Sequence, residues 1–474
     1  MKRIYLTTSI PYVNGEPHIG HALELVQVDV MARAYRQLGY EVYCLTGTDE
    51  NAQKNVESAE KMGISVQELV DKYSLKFKNL QAPLNLSFDQ FIRTTDKKHL
   101  MGAQKLWRLC DQDIYKKTYS GLYCVGCETF YKEGDLPNNF CTNHNRQLET
   151  ISEENYFFAL SKYQHKIASL IQSDNLKIQP FFRKQEILNF INKGLDDISI
   201  SRPDTRMKGW GIPVPEDNSQ RMYVWFDALT NYISALDFGT EGELFEKFWI
   251  NNPLKVHVIG KDIVKFHAIY WIAMLLSAKQ FIPTSLYVHG FISVDGSKIS
   301  KTIGNVIDPA SLVAIYGTDA LRYYLLREIS PYVDGDFSYE RMHQLYSSDL
   351  ANELGNLLSR LTNLGEKDSI FIETDIENEI IDLALDRAAK FEFNLGLEEI
   401  FVKVKELNRS INDFEPWSKS KIDRADFLTK SLKQLNTIGR ALKPYLPESS
   451  LKIQNATENK IKKSASLFPR VNMS

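Results

Sequence analysis

Cysteine is scarce, five in 474 residues, and so small and odd a number argues against a disulfide framework. No uninterrupted apolar run is long enough to span a bilayer. The opening "MKRIYLTTS" lacks the basic, apolar and small-residue succession of a secretory signal. A cytoplasmic protein without a membrane partner is therefore expected. Neither sign of charge dominates: 57 Lys and Arg stand against 60 Asp and Glu, for a net charge of −3. A chain-wide polybasic surface is thereby excluded, and a nucleic-acid partner has to be met by a local patch. Internal repeats and long low-complexity segments are also absent, which removes solenoids and arrays. What is present is core material: 43% of residues are hydrophobic, enough for about two to four domains.

The N-terminal text has a readable order. Residues 3 to 9 form a predicted strand, broken by Pro11, Gly15 and Pro17. The following "HALELVQVDVMARAYRQLGYEVYCLTGTDE" has helical period to about Gly39 and then a second strand, "EVYCLTG". Strand, loop, helix and strand make a βαβ unit, so a parallel sheet with a nucleotide site at its carboxyl edge is expected. "EPHIGH", residues 16 to 21, lies at the mouth of that helix. A helix N-terminus offers unpaired N–H groups and positive dipole, which suit a phosphate. Gly20 leaves room for close approach, and His18 and His21 can donate to phosphate oxygens.

A second polar element lies far downstream. "LYVHGFISVDGSKISKTIGNVIDP" joins a strand-like run, a "DG" turn and the loop "SKISKT". Lys298 and Lys301 on such a loop suit the β- and γ-phosphates of a nucleotide, with Ser300 and Thr302 beside them.

"HIGH" followed at this distance by a "KMSKS"-like loop resembles the paired signature of class I aminoacyl-tRNA synthetases. "IPYVNGEPHIGHALE", "TGTDEN", "YVWFDALTNYISAL" and "GKDIVKFHAIYW" resemble the methionyl-tRNA synthetase family in particular. The likeness runs from the first strand to "LFPR". The lysine loop departs from the common pattern with Ile299 and Thr302, changes that keep size class and hydroxyl.

The resemblance implies a Rossmann-type α/β catalytic fold, interrupted by a zinc-knuckle insertion and followed by an α-helical anticodon-binding domain. The expected division is 1–114 and 221–325 for the two catalytic halves, 115–220 for the insertion, 326–350 for a linking segment and 351–474 for the helical domain. The implied activity joins L-methionine to ATP as methionyl-adenylate and transfers the methionyl group to tRNA. ATP with Mg²⁺ is held by His18, Gly20, His21, Lys298, Ser300 and Lys301, of which both histidines and both lysines are the catalytic set. Methionine is held by Ile10, Tyr12, Asp49, Arg202, Trp225, Ala228, Leu229, Tyr232, Ile263 and His267. In that set Asp49 meets the α-ammonium and Arg202 partners Asp49. Read without the resemblance, Trp225 and Tyr232 are core aromatics and Asp49 is a helix N-cap.

Three of the cysteines crowd into "YCVGCETFYKEGDLPNNFCTNHNRQLE". Cys124 and Cys127 make C-x-x-C, and Cys141 and His144 make C-x-x-H. Two chelating pairs supply a closed tetrahedral set that suits one structural zinc ion. Cys44 and Cys110 fall on strand and helix patterns and read as buried small hydrophobes.

The C-terminal third is helical by period, which argues a bundle. "GNLLSR" puts Asn356 and Arg360 on one helical face, and "EPWSKSK" supplies Trp417. An amide, a guanidinium and an aromatic platform are what unstacked bases need, and the same positions match the family's anticodon readers. The chain ends soon after "SLFPRVNMS", so a monomer is expected. An apolar pocket separates near-cognates by only about 1–3 kcal/mol. Homocysteine is therefore expected to be activated as well, with any proofreading inside the synthetic site.

Overall fold

The computed structural model describes residues 2–125, 129–131, 134–142, 145–240, 242–299, 304–373 and 378–471. The chain opens with β1 (Arg3–Thr7), α1 (Ile19–Gln37) and β2 (Glu41–Thr48). Gly39, at φ +80°, takes the left-handed turn that ends α1 and admits β2. The strand expected over residues 3–9 is shorter, but Thr8 and Ser9 still donate backbone N–H groups to Leu45 and Val258. The chain thus peels off the sheet gradually toward the site. Helices α2 (Gln53–Met62) and α3 (Val66–Asn79) precede β3 (Gln90–Arg93), and α4 (Lys97–Leu109) follows it.

A long excursion comes next. Strands β4 (Ile114–Cys124) and β5 (Glu149–Phe158) pair antiparallel from Ile114 opposite Phe158 to Tyr123 opposite Glu149. The excursion is not wholly separate, because β6 (Lys177–Gln179) returns to pair with the main sheet. Helices α5 (Val224–Leu229) and α6 (Asn231–Ser234) lead back to β7 (Lys255–Gly260) and β8 (Ser285–His289).

The main sheet runs β3-β2-β1-β7-β8-β6, and every neighbouring pair is parallel. Strand order reverses direction between β1 and β7, which opens a crevice at their carboxyl ends. β7 is buried along its whole length, as a strand covered on both faces must be. Beyond β8, β9 (Ile292–Val294) pairs with β10 (Ser297–Lys298) and, in parallel, with β11 (Gly335–Phe337).

Helix α7 (Thr318–Arg327) lies between β10 and β11 in the chain. After it come α8 (Asn356–Asp368), α9 (Glu379–Ala389), α10 (Phe393–Phe414), α11 (Lys421–Ala441) and α12 (Pro447–Ala456). They do not form a detached bundle. One apolar core runs without a break from Ile4 and Leu23 through Leu321 to Leu397 and Leu432. At its centre Arg322 is fully buried. Its guanidinium donates to the carbonyls of Leu84, Pro444 and Tyr445 and meets Asp29 of α1 at 2.8 Å. Among the described residues no helix is long and apolar enough to cross a membrane.

Candidate active site

A cavity of about 540 Å³ occupies the crevice between the ends of β1 and β7. His18 and His21 line it, and both also build the start of α1. Gly20 N–H donates to His18 Nδ1 at 3.1 Å, and His18 N–H donates to His21 Nδ1 at 3.1 Å. Two of the helix's orphan donors are satisfied reciprocally. Because both Nδ1 atoms accept, each neutral ring carries its proton on Nε2. The rings stack with centroids 3.8 Å apart; burial, and then the repulsion between two protonated rings, holds the pKa of His21 well below the ordinary value. Gly20 serves this cap as much as any ligand, since a Cβ there would lie 3.0 Å from His18 Cε1.

On the opposite wall, Ile10, Tyr12, Asp49, Trp225, Ala228, Leu229, Tyr232, Ile263 and His267 all line the same cavity. Tyr12 and Asp49 are brought side by side by a parallel bridge, with Asp49 N–H donating to Pro11. Asp49 does not cap α2, contrary to the plain reading of "TDEN": the cap position is Ala52, and its side chain makes no capping bond. Trp225 lies flat on Phe266, centroids 3.8 Å apart at 5°. Tyr232 is both core and cavity wall. His267 Nδ1 faces the Ile263 carbonyl at 3.0 Å and must carry the proton, so Nε2 accepts from the Tyr232 hydroxyl at 2.7 Å. Burial lowers the His267 pKa to about 4. Behind Tyr232, His257 stacks at 4.0 Å and bridges Thr7 and Trp271.

Arg202 is the exception. The cavity wall omits it: its guanidinium donates to Ser199 Oγ and the Ser201 carbonyl and lies over the ring of Tyr223 at 4.4 Å. Arg202 thus stands behind the cavity wall, among aromatic residues, rather than on it.

Sequence reasoning missed Glu24 and His289, which face each other across the cavity wall. Glu24 accepts from Ser9 N–H and Oγ, and His289 Nε2 meets its other oxygen at 2.7 Å. His289 Nδ1 faces the Gly290 carbonyl at 2.7 Å. Burial opposes a charged ring, but the Glu24 carboxylate outweighs it and the His289 pKa is raised. A glutamate three residues after His21, one turn along the same helix face, was the available signal. Of the lysine loop, Ile299 reaches the cavity. The side chain of Lys298 and all of Ser300, Lys301 and Thr302 lie outside the described residues.

Cys124 and Cys141 are buried together in a small cluster with Leu148. Cys127 and His144 lie outside the described residues, and among those described no group of three or more metal-ligating side chains occurs. Cys44 and Cys110 are fully buried, as expected, and burial pushes the Cys110 thiol up to about 12. In the C-terminal helices Asn356 opens α8, exposed. Arg360 lies over the half-exposed ring of Trp417 at 5.2 Å and donates to Asn412 Oδ1 at 2.8 Å.

Comparison with known proteins adds a second line of observation. The family profile "tRNA synthetases class I (M)" matches residues 4–136 and 131–362. A "Methionine--tRNA ligase" of Clostridium perfringens is 41% identical over 97% of this chain and 74% of its own length. One of Brucella suis is 40% identical over 95% of this chain and 91% of its own. Among solved structures, the Mycobacterium tuberculosis methionyl-tRNA synthetase in complex with methionyl-adenylate superposes with a TM-score of 0.91 at 34% identity. That match covers 99% of this chain and 100% of the other.

Proposed function

From the premise that this chain belongs to the methionyl-tRNA synthetases of class I, we propose how its residues divide the work of that family. The protein activates L-methionine with ATP and transfers the methionyl group to tRNA. In the first step a methionine carboxylate oxygen bonds to the α-phosphorus of ATP and the bond to pyrophosphate breaks. No side chain has to become a nucleophile, so the site acts by positioning and by stabilising charge.

His18 and His21 donate Nε2–H to the phosphate oxygens on which charge develops. Their Nδ1 atoms are engaged by the helix cap, which fixes that tautomer before ATP arrives. Gly20 and Ser300 complete the nucleotide contact, and Lys298 and Lys301 neutralise the β- and γ-phosphates as pyrophosphate leaves. Mg²⁺, bound with ATP, supplies further neutralisation of the polyphosphate. Asp49 receives the α-ammonium. The thioether side chain enters among Ile10, Tyr12, Trp225, Ala228, Leu229, Tyr232, Ile263 and His267, with Arg202 bracing the aromatic side through Tyr223. The observation that carries this reading is the gathering of both histidines, Asp49 and the aromatic wall around one cavity at the strand-order reversal.

The same reading gives Cys124, Cys127, Cys141 and His144 one structural zinc ion. The burial of the two described thiols in one cluster fits such a centre. Asn356, Arg360 and Trp417 read anticodon bases; the partly exposed ring under a guanidinium supports this. We divide the chain at 114, 220, 325 and 350, and set the reaction in the cytoplasm with its tRNA.

ATP–pyrophosphate exchange with each standard amino acid tests the core of the proposal. Exchange with methionine is expected, and exchange with another apolar amino acid instead would discard the pocket assignment. Lys301→Ala in folded protein is expected to slow adenylate formation at least roughly tenfold, and an unchanged rate removes that lysine from the mechanism.

A further inference from the structure

We propose that His99, which does not line the cavity, is a positioning residue that sets the geometry of the methionine pocket; the inference rests on the pocket reading above. His99 lies on α4, an element that contributes nothing to the cavity wall. Its Nε2 donates to Asp227 Oδ1 at 2.6 Å, and its Nδ1 faces Ser234 Oγ at 2.7 Å. Asp227 Oδ2 accepts from Asn51 Nδ2 at 2.7 Å, and the same amide donates to the Thr94 carbonyl at 3.2 Å. His99, Asp227 and Ser234 have no exposed surface, and Asn51 has 5%.

Serine, histidine and aspartate in a row invite comparison with a hydrolytic triad, and the geometry rejects it. None of the members lines the cavity, so Ser234 reaches no substrate. What the network does reach is the chain on either side of the pocket. Asn51 follows the cavity residue Asp49 by two positions and donates its backbone N–H to Asp49 Oδ1 at 3.3 Å. Asp227 sits between Trp225 and Ala228, and Ser234 is two beyond Tyr232. His99 therefore joins the carboxylate wall to both helices of the aromatic wall. A buried carboxylate is tolerable only with its partners in place, so Asp227 holds α5 at a fixed distance from the Asp49 segment.

A second feature shows that α4 is meant to be close. A Cβ on Gly102, one turn after His99, would lie 2.7 Å from Ser234 Cβ. Only glycine lets α4 approach α6 near enough for the histidine to reach.

The test uses the full chain in methionine-dependent ATP–pyrophosphate exchange. His99→Leu is expected to raise the methionine KM roughly tenfold or more, since misplacement of about 1 Å is costly, while the ATP KM stays nearly constant. His99→Gln keeps a donor toward Asp227 and is expected to recover most of the loss. Asn51→Leu is expected to raise the same KM, and the double variant to be far from additive, because both act through Asp227. Should His99→Leu not fold, Gly102→Ala carries the same expectation with the network side chains intact.

A lowered melting temperature with an unchanged methionine KM overturns the inference, as do additive effects in the double variant. Wild-type protein that exchanges no methionine removes the premise and the inference with it. Wild-type exchange beside an indifferent His99→Leu removes the inference alone.

Discussion

The histidines at and behind the cavity divide by their surroundings into three whose burial disfavours a proton and one whose carboxylate partner favours it. Burial lowers the pKa values of His21, His257 and His267, the last to about 4, while the Glu24 carboxylate raises that of His289. An unfolded histidine takes a proton near pH 6.5. Below that pH the unfolded chain binds protons that the three buried neutral rings refuse, so stability falls as pH falls. For His267 the loss amounts to about 3 kcal/mol by pH 4. His289 acts with opposite sign: its contribution is full at low pH and disappears as pH rises through its folded value. Three against one, the melting temperature is expected to drop between pH 7 and pH 5, and His267→Phe to flatten the drop. An acid-insensitive melting temperature would show that the rings are protonated in the folded state. None of this division is written in the sequence. Trp225 and Tyr232 read as plain core residues, and Tyr232 is core as well as wall. The character of each histidine depends on a carbonyl, hydroxyl or carboxylate supplied by a distant segment.

Helix α1 carries more than a charged mouth. Its cap is made from the histidines that face the cavity, so the helix start and the site share atoms. Gly20→Ala places a Cβ 3.0 Å from the His18 ring and is expected to turn that ring out of its cap. The expected result is a fall in exchange of roughly tenfold with a loss of about 0.5–2 kcal/mol of stability. Exchange kinetics and urea unfolding measure the two separately, and unaltered exchange would detach the cap from catalysis. The βαβ unit was legible because its period changes from two to 3.6 and back, with Gly39 at the junction. β6 was not, since three residues carry no pattern and their place beside β8 is decided by sheet pairing. The N-cap reading of "TDEN" failed because Asp49 is drawn sideways into a bridge with Tyr12.

Taken whole, the molecule is tied together at Arg322. That guanidinium joins α1, the loop at Leu84 and the turn before α12, all without exposed surface. Arg322→Met strips a partner from Asp29 and leaves three carbonyls unserved, and is expected to cost about 3–5 kcal/mol in urea unfolding. A loss below about 1 kcal/mol would mean that the junction holds without it. Residues so far apart in the chain give no sequence signal, so the helical C-terminus was legible as a class of structure but its welding to α1 was not. The main sheet has a similar reach. β1 lies against β7, with Tyr5 opposite Lys255, although the whole excursion separates them in the chain. On a ribosome adding about 5–20 residues per second, roughly 10 to 50 s pass between the emergence of the two strands. Through that interval the first strand of every newborn copy has one edge without its neighbour, open to pairing with another polysome's product. The place in the sheet that later makes the crevice is therefore also the place that waits longest for its partner strand during synthesis.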